Sequence, residues 1–318
     1  MQRIQVLSTF DQQDPVFRAK ILGLQKALRS SHVFESFSSN KPCQVLLLRL
    51  DLTRAVPQPL LTALRLKSKH TQIHLFVPDF EAQHESALAS LEGIVQVYLV
   101  ATPELKTLLA FKVFGFVHHL ADPIDFGLST NLPRVHIGPK RDAPLRLAWF
   151  GYPESYLKSM RPLASTFEAL AASGQATLSV YTSVTQLGPL PFAQVKAYRV
   201  DTILNELAQH DAVVLSHQAH DFSINTYFKS ENKAVLAINR GLPVIASDTP
   251  AYARLLGRFG LNDFLFNSRE TLIAAVARLR SAEERNAYLE RCQSHITADY
   301  NHANIARQWV MLVEKYSR

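Results

Sequence analysis

The sequence predicts an α/β protein made of two parallel-sheet domains. Three observations carry this expectation. Short apolar runs rich in Val, Ile and Leu alternate with helical stretches from end to end. The chain has 318 residues, more than a typical single domain needs. A polar connection punctuated by Pro133, Gly138, Pro139 and Pro144 divides the alternation in two, which places a domain boundary within 134–144.

The first half opens with an apolar strand over Ile4 to Ser8. Asp14-Pro15 then starts a helix to about Arg29, with Phe17, Ile21, Leu24 and Leu28 at helical spacing. Strands follow at Val45 to Leu50, Ile73 to Val77, Val95 to Val100 and Phe116 to Leu120. The helices between them start at Pro57, lie around Ala87, and start at Pro103. In the second half, Leu145 to Phe150 is a strand ending at Gly151, and a helix is expected from Ser155 to Ala172. Thr177 to Thr182, Gln194 to Tyr198, Ala212 to Ser216, Val244 to Ala246 and Phe264 to Asn267 read as further strands. Asp201 is expected to cap a short helix and Ser268 a longer one, while Ser281 with Glu284 forms a capping-box pattern. A last helix from Ala303 to Tyr316 carries Ile305, Trp309, Leu312 and Val313 on one side.

Composition narrows the function classes. Lys and Arg number 34 against 27 Asp and Glu, and the excess is scattered. Such a balance suits phosphate-rich ligands or an anionic membrane surface but is no nucleic-acid signature. The densest basic cluster, Arg65 to His70, reads as a solvated helix end. Cys43 and Cys292, the two cysteines, lie far apart without metal-ligand spacing, as expected of reduced, structural thiols in a cytosolic protein. No signal-peptide core is seen at the N-terminus and no apolar run is long enough to span a bilayer. The glycine signature of dinucleotide sites is absent, as are a phosphate-binding Gly-Lys-Ser/Thr loop, a zinc-binding His-Glu-x-x-His helix and a Gly-x-Ser-x-Gly elbow.

The chain is organised around the stretch from Lys229 to Pro250, read as loop, helix, turn, strand and loop. Ser230 or Asn232 is expected to cap the helix, and Gly241 to end it in a left-handed conformation. Pro243 prevents its resumption, and Thr249-Pro250 starts the next helix. A helix start flanked by Lys229 and Lys233 is suited to an anion. Taken alone, local chemistry favours an ordinary αβ unit with solvated lysines.

This stretch resembles a family. Lys229-Ser-Glu-Asn-Lys233, the apolar helix, Gly241-Leu-Pro-Val-Ile-Ala-Ser247 and the following Pro250-Ala-Tyr252 look like the donor-binding segment of GT-B glycosyltransferases, in the manner of group 1, family-4-like C-terminal domains. The resemblance covers most of the second half and extends less clearly into the first. It implies two Rossmann-like domains facing across a cleft, with the C-terminal helix crossing back to the first domain. The expected division is 1–138 for an acceptor-side domain, 139–302 for a nucleotide-sugar-binding domain and 303–318 for the returning helix. One departure stands out. Many retaining members carry two glutamates at the positions held here by Phe228 and Leu236, and Glu231 lies out of register.

Open α/β sheets bind ligands at the carboxyl ends of their strands, so candidate residues are sought there. On the second domain these are Gly151 and Tyr152, Ser183, His217 with Gln218, and Lys229, Ser230, Asn232 and Lys233. Asp248 and Thr249 follow the next strand. Gly151 is either a plain turn or a point of backbone approach to a ligand, and His217 either a backbone-bonded loop residue or a ligand contact. On the first domain, Asp11, His118 and His119 are the candidate proton acceptors; Asp14 reads as a helix cap and Asp51 as a weaker candidate. Alternation sends His118 and His119 to opposite faces.

The resemblance implies a glycosyltransferase, hexosyltransferase-like and active in cell-surface polysaccharide biosynthesis. It would move a sugar from a nucleotide diphosphate sugar to a glycan, lipid or protein acceptor. No cofactor and no metal are expected, and no Asp-x-Asp motif occurs. The expected location is cytoplasmic, with peripheral association at the inner face of the membrane, and no nucleic-acid partner is expected. A catalytically silent GT-B module serving as a binding or partner subunit is the alternative, because the glutamate pair is missing.

Overall fold

The computed structural model describes residues 2–11, 14, 16–124, 143–183, 187, 189–217 and 224–316. The expected boundary at 138/139, most of the polar linker, Pro15 and Gln218 lie outside the described residues. Two compact units are present. One comprises Met1–Phe126, Phe228–Ser230 and Asp299–Arg318; the other comprises Gly127–Tyr227 and Glu231–Ala298.

The first unit is built on a six-stranded parallel sheet. Its strands are β1 (Gln2–Ser8), β2 (His32–Ser36), β3 (Val45–Arg49), β4 (Gln72–Val77), β5 (Val97–Val100) and β6 (Phe116–His119), ordered β2-β1-β3-β4-β5-β6. The central strands are apolar on both faces, and every residue of β3 and β5 is buried, as in a sheet covered on both sides. One face packs Leu46, Leu48, Ile73, Leu75 and Tyr98 under the helices Gln58–Ser68, Glu85–Ser90 and Pro103–Ala110. The other packs Ile4, Leu47, Phe76 and Leu99 against Ile21 and Leu24 and against Ile305, Trp309 and Val313 of the helix His302–Tyr316. The C-terminal helix therefore returns to the first sheet.

A hydrogen-bonded chain holds that helix in place. Trp309 Nε1 donates to His74 Nδ1 at 3.2 Å. Indole nitrogen only donates, so the neutral ring carries its proton on Nε2, which lies 3.1 Å from Gln72 Oε1. Gln72 Nε2 then donates to the Val313 carbonyl at 3.3 Å. Burial pushes the His74 pKa down to about 3, which keeps the ring in that neutral state.

The second unit has its own six-stranded parallel sheet. Its strands are β7 (Leu145–Phe150), β8 (Ala176–Thr182), β9 (Ala193–Ala197), β10 (Ala212–Leu215), β11 (Val244–Ser247) and β12 (Leu265–Phe266), ordered β12-β11-β10-β7-β8-β9. The Asn232–Asn239 helix joins β10 to β11, and Gly241 ends it at φ 73°. Leu242 N–H reaches the Ala237 carbonyl at 3.0 Å and Gly241 N–H the Ile238 carbonyl at 2.9 Å, the paired bonds of a left-handed helix stop.

Several expectations are corrected. The helix expected from Ser155 to Ala172 is two helices, Pro153–Ser159 and Ala164–Ala172, joined by a 3₁₀ turn at Arg161–Leu163. Pro162 is the reason, since it has no N–H for the helical ladder. Asp201 does not cap the Ile203–Leu207 helix; its carboxylate accepts from Arg199 Nη2 at 3.0 Å. Neither Ser230 nor Asn232 caps the Asn232–Asn239 helix, whose cap position is Glu231. The edge strand β2, His-Val-Phe-Glu-Ser, has no fully buried residue and was not among the expected strands. Ser268 does cap its helix, accepting from Thr271 N–H at 3.3 Å, and Ser281 accepts from Glu284 N–H at 3.3 Å. Cys43 and Cys292 are both free and buried, and burial pushes the Cys292 thiol up to about 12.

Candidate functional site

In each sheet the strand order reverses direction at one point, and the carboxyl ends there form a natural binding crevice. In the second sheet the reversal lies between β7 and β10. Gly151 follows β7, and His217 follows β10 after Ser216. The Ile224–Phe228 helix comes next in the chain, and the Asn232–Asn239 helix follows it and leads on to β11.

Three elements build the site. Gly151 N–H is tied to the Tyr181 carbonyl at 3.1 Å, which fixes the end of β7. Lys233, in the first turn of the helix, places its ammonium beside Gly151 and 5.1 Å from the Trp149 ring centroid and 5.8 Å from that of Phe150. A Cβ on residue 151 would sit 2.6 Å from Lys233 Nζ and 2.9 Å from the Trp149 ring. The missing side chain thus makes room for a cation. His217 is fixed twice. Its backbone N–H donates to Ser247 Oγ at 2.9 Å, and its Nε2 lies 2.8 Å from the Tyr252 hydroxyl. The two rings stack at 5.0 Å between centroids with 7° between their planes. Burial, and then the nearby Glu231, raises the Tyr252 pKa, so its hydroxyl stays protonated.

Glu231 and Arg254 complete the helix start. The Glu231 carboxylate is buried and pairs with Arg254 at 3.4 Å. A carboxylate at this end of a helix is favoured by the exposed amides of its first turn. Tyr152, Ser183, Asn232 and Asp248 are exposed around these residues or on neighbouring strand ends, whereas Thr249 is buried at the cap position of the next helix.

Lys229 and Ser230 belong to the first unit. Lys229 pairs with Asp79 at 3.3 Å and Ser230 Oγ donates to Asp122 Oδ2 at 2.6 Å, both within the first unit. Asp122 is also the partner of Lys20 at 2.8 Å. Of the candidates from Lys229 to Lys233, Asn232 and Lys233 lie in the first turn of the Asn232–Asn239 helix.

The first sheet reverses between β1 and β3. There the Thr9 hydroxyl accepts from Asp51 N–H at 2.6 Å, and Asp51 Oδ1 accepts from Thr53 N–H at 3.1 Å. Asp14 accepts from Phe17 N–H at 2.7 Å, the helix-capping role expected of it, and lies 3.6 Å from Arg49. Asp11 is exposed in the same loop. His119, at the carboxyl end of β6, has Nε2 3.1 Å from the Ala101 carbonyl. His118 is placed differently: its Nε2 lies 2.6 Å from the hydroxyl of Tyr316 in the C-terminal helix. Tyr252, Ser247, Arg254 and Trp149 were not among the expected site residues. Tyr252 stands within the Pro-Ala-Tyr element and had that signal; the Glu231–Arg254 pair had none.

No family model matches the chain, and no curated protein sequence matches it. Solved structures do match. The Anabaena protein HepE (Alr3699), solved with UDP and glucose, aligns over 99% of this chain and 99% of its own, with a TM-score of 0.68 and 11% identity. The chain has the GT-B fold. WaaG, a glycosyltransferase involved in lipopolysaccharide biosynthesis, aligns over 98% of this GT-B chain and 99% of its own, with a TM-score of 0.59 and 12% identity. The pneumococcal O-GlcNAc transferase GtfA, solved with UDP and GlcNAc, aligns over 85% of the chain at 15% identity and a TM-score of 0.55, and the chain spans 56% of GtfA. Among the described residues no helix is long and apolar enough to cross a membrane.

Proposed function

We propose that this GT-B chain transfers a sugar from a nucleoside diphosphate sugar to a glycan, lipid or protein acceptor. The observation that carries the reading is the Lys233 ammonium, held beside the side-chain-free Gly151 where the second sheet reverses. A departing diphosphate needs its developing charge neutralised, and an ammonium next to the amides of a helix start does this. Glu231 pairs with Arg254, and Lys233 is the cation assigned to the phosphates by its place beside Gly151. The His217–Tyr252–Ser247 set supplies a rigid polar wall on the other side of the crevice. Binding of UDP by HepE and GtfA supports a uridine donor as the first to test.

On the first unit, Asp11 and His119 are the groups assigned to receive the acceptor proton, since both stand at carboxyl ends. His118 is assigned to packing. The reaction is proposed to be metal-independent: amides and lysine would do what a divalent cation does in other transferases.

A silent module is the second reading, and one observation favours it. Phe228 and Leu236, at the positions of the glutamate pair, are buried apolar residues, and Phe228 belongs to the core of the first unit. Incubation with UDP-, GDP- and ADP-sugars, with and without EDTA, separates the readings. Release of nucleoside diphosphate from one donor in the presence of EDTA is expected. Release that requires magnesium or manganese contradicts metal independence, and release from none selects the silent module.

A further inference from the structure

A recess of about 200 Å³ opens in the first unit between the Glu85–Ser90 helix and the turn that follows the Pro103–Ala110 helix. None of the residues assigned to glycosyl transfer lines it. Phe80, Leu88 and Val113 give it apolar walls, and Ala89, small and exposed, stands at its rim. The Lys112 ammonium, 2.7 Å from Glu85, ties the turn to the helix. Gly115 ends the turn at φ 147°. A Cβ there would lie 2.9 Å from the Tyr98 ring and 3.1 Å from the Gln96 carbonyl oxygen, so a glycine is what lets the turn cover this tyrosine. Two polar groups of the recess are unused. Tyr98, in β5, is fully buried, yet its hydroxyl has no hydrogen-bond partner among the described residues. Burying a hydroxyl without a partner is costly, so the fold gains nothing from it over phenylalanine. Glu92, exposed at the rim, makes no ion pair among the described residues, whereas Glu85 is taken by Lys112. Burial, and then the nearby Glu92 carboxylate, raises the Tyr98 pKa to about 12, so the hydroxyl keeps its proton.

We propose that this recess binds a small organic ammonium, a single aromatic ring carrying a short primary ammonium arm. Size sets the body. A cavity of about 150 Å³ holds a benzene ring, so about 200 Å³ admits the ring and its arm. Charge selects the head group. A primary ammonium carries N–H donors and no acceptor; one N–H donates to the Tyr98 oxygen and another to the Glu92 carboxylate. An anionic head would instead meet the carboxylates of Glu85 and Glu92, and the one cation lining the recess, Lys112, is bound to Glu85. The rings act in the same direction. Phe80 and Tyr98 line the recess and Phe114, 75% exposed, stands at its mouth, and aromatic faces attract a cation.

Calorimetric titration of the full chain with phenethylammonium chloride tests this. The wild type is expected to bind it with a dissociation constant below about 1 mM, and to bind 2-phenylethanol and phenylacetate at least about tenfold more weakly. Glu92→Gln should weaken phenethylammonium by roughly five- to tenfold and leave 2-phenylethanol unchanged. Tyr98→Phe should weaken it by about three- to tenfold, with a melting temperature equal to or above that of the wild type, because the variant buries no unpaired hydroxyl. Ala89→Trp fills the rim and should abolish binding. A wild type that shows no saturable heat with phenethylammonium overturns the proposal, as does Glu92→Gln binding it as tightly as the wild type. Binding that survives Ala89→Trp unchanged overturns it by placing the ammonium elsewhere. Equal affinity for 2-phenylethanol and phenethylammonium overturns it too and makes the recess an apolar cavity without charge preference.

Discussion

Gly151 and Lys233 act as one feature although they are far apart in sequence. The space that the glycine leaves is the space that the ammonium takes. Gly151→Ala brings a methyl group to 2.6 Å from Lys233 Nζ and against the Trp149 ring. The flexible lysine end moves more easily than the indole, so the ammonium should be displaced. Loss of a charge-assisted contact is worth roughly 1.5–3 kcal/mol, or about ten- to hundredfold in nucleotide affinity. Crowding of the indole should cost about 1–3 kcal/mol of stability. Calorimetry and thermal melting measure the two effects separately; a variant that binds nucleotide as tightly as wild type would show that the cavity at Gly151 has no part in binding. This pairing was not legible in the sequence. Gly151 and Lys233 could each be read as candidates from their places at a strand end and a helix start, but nothing in local pattern reports that one makes room for the other. The same holds for Glu231 and Arg254, whose pairing depends on how two successive helices pack.

At the scale of elements, the strands that are buried on both faces were legible, because continuous apolar runs have few alternatives in an alternating α/β chain. What was missed or misread had a local physical cause. The edge strand β2 is too polar and too exposed to stand out, and Pro162 divides a helix whose apolar pattern runs on through it. The C-terminal helix was legible from its apolar stripe, but its anchor at His74 was not, since a histidine inside a strand gives no sign of its partner. That anchor makes a prediction. His74 titrates near its ordinary value of about 6.5 when unfolded and at about 3 when folded. The unfolded chain therefore binds more protons through this window, so the contribution is complete above pH ~6.5 and is lost as pH falls toward 3. By pH 5 the loss should be about 2 kcal/mol. Urea unfolding at pH 7 and pH 5, followed by Trp309 fluorescence in a Trp149→Phe background, measures it. His74→Gln should lose less stability over that interval than the parent; an equal loss in both would remove His74 from the account.

At the scale of the whole molecule, the GT-B fold places two strand-order reversals in one chain, one in each sheet. The second sheet carries the candidate donor site, because its reversal gathers the end of β7, the end of β10 and the start of a buried helix. The first sheet presents Asp11, Asp51 and Arg49 at its own reversal, and Lys229 and Ser230, candidates for the donor, make their bonds to Asp79 and Asp122 within that unit. Lys233 is the principal cation of the proposed donor site, and Lys233→Ala therefore bears most directly on the account. Titration of wild type and Lys233→Ala with UDP, GDP and ADP by calorimetry is the deciding measurement. The account predicts that one nucleoside diphosphate binds the wild type and binds Lys233→Ala about ten- to hundredfold more weakly, with nearly unchanged melting temperature. Equal affinities for wild type and variant would contradict it and make this helix start part of the scaffold.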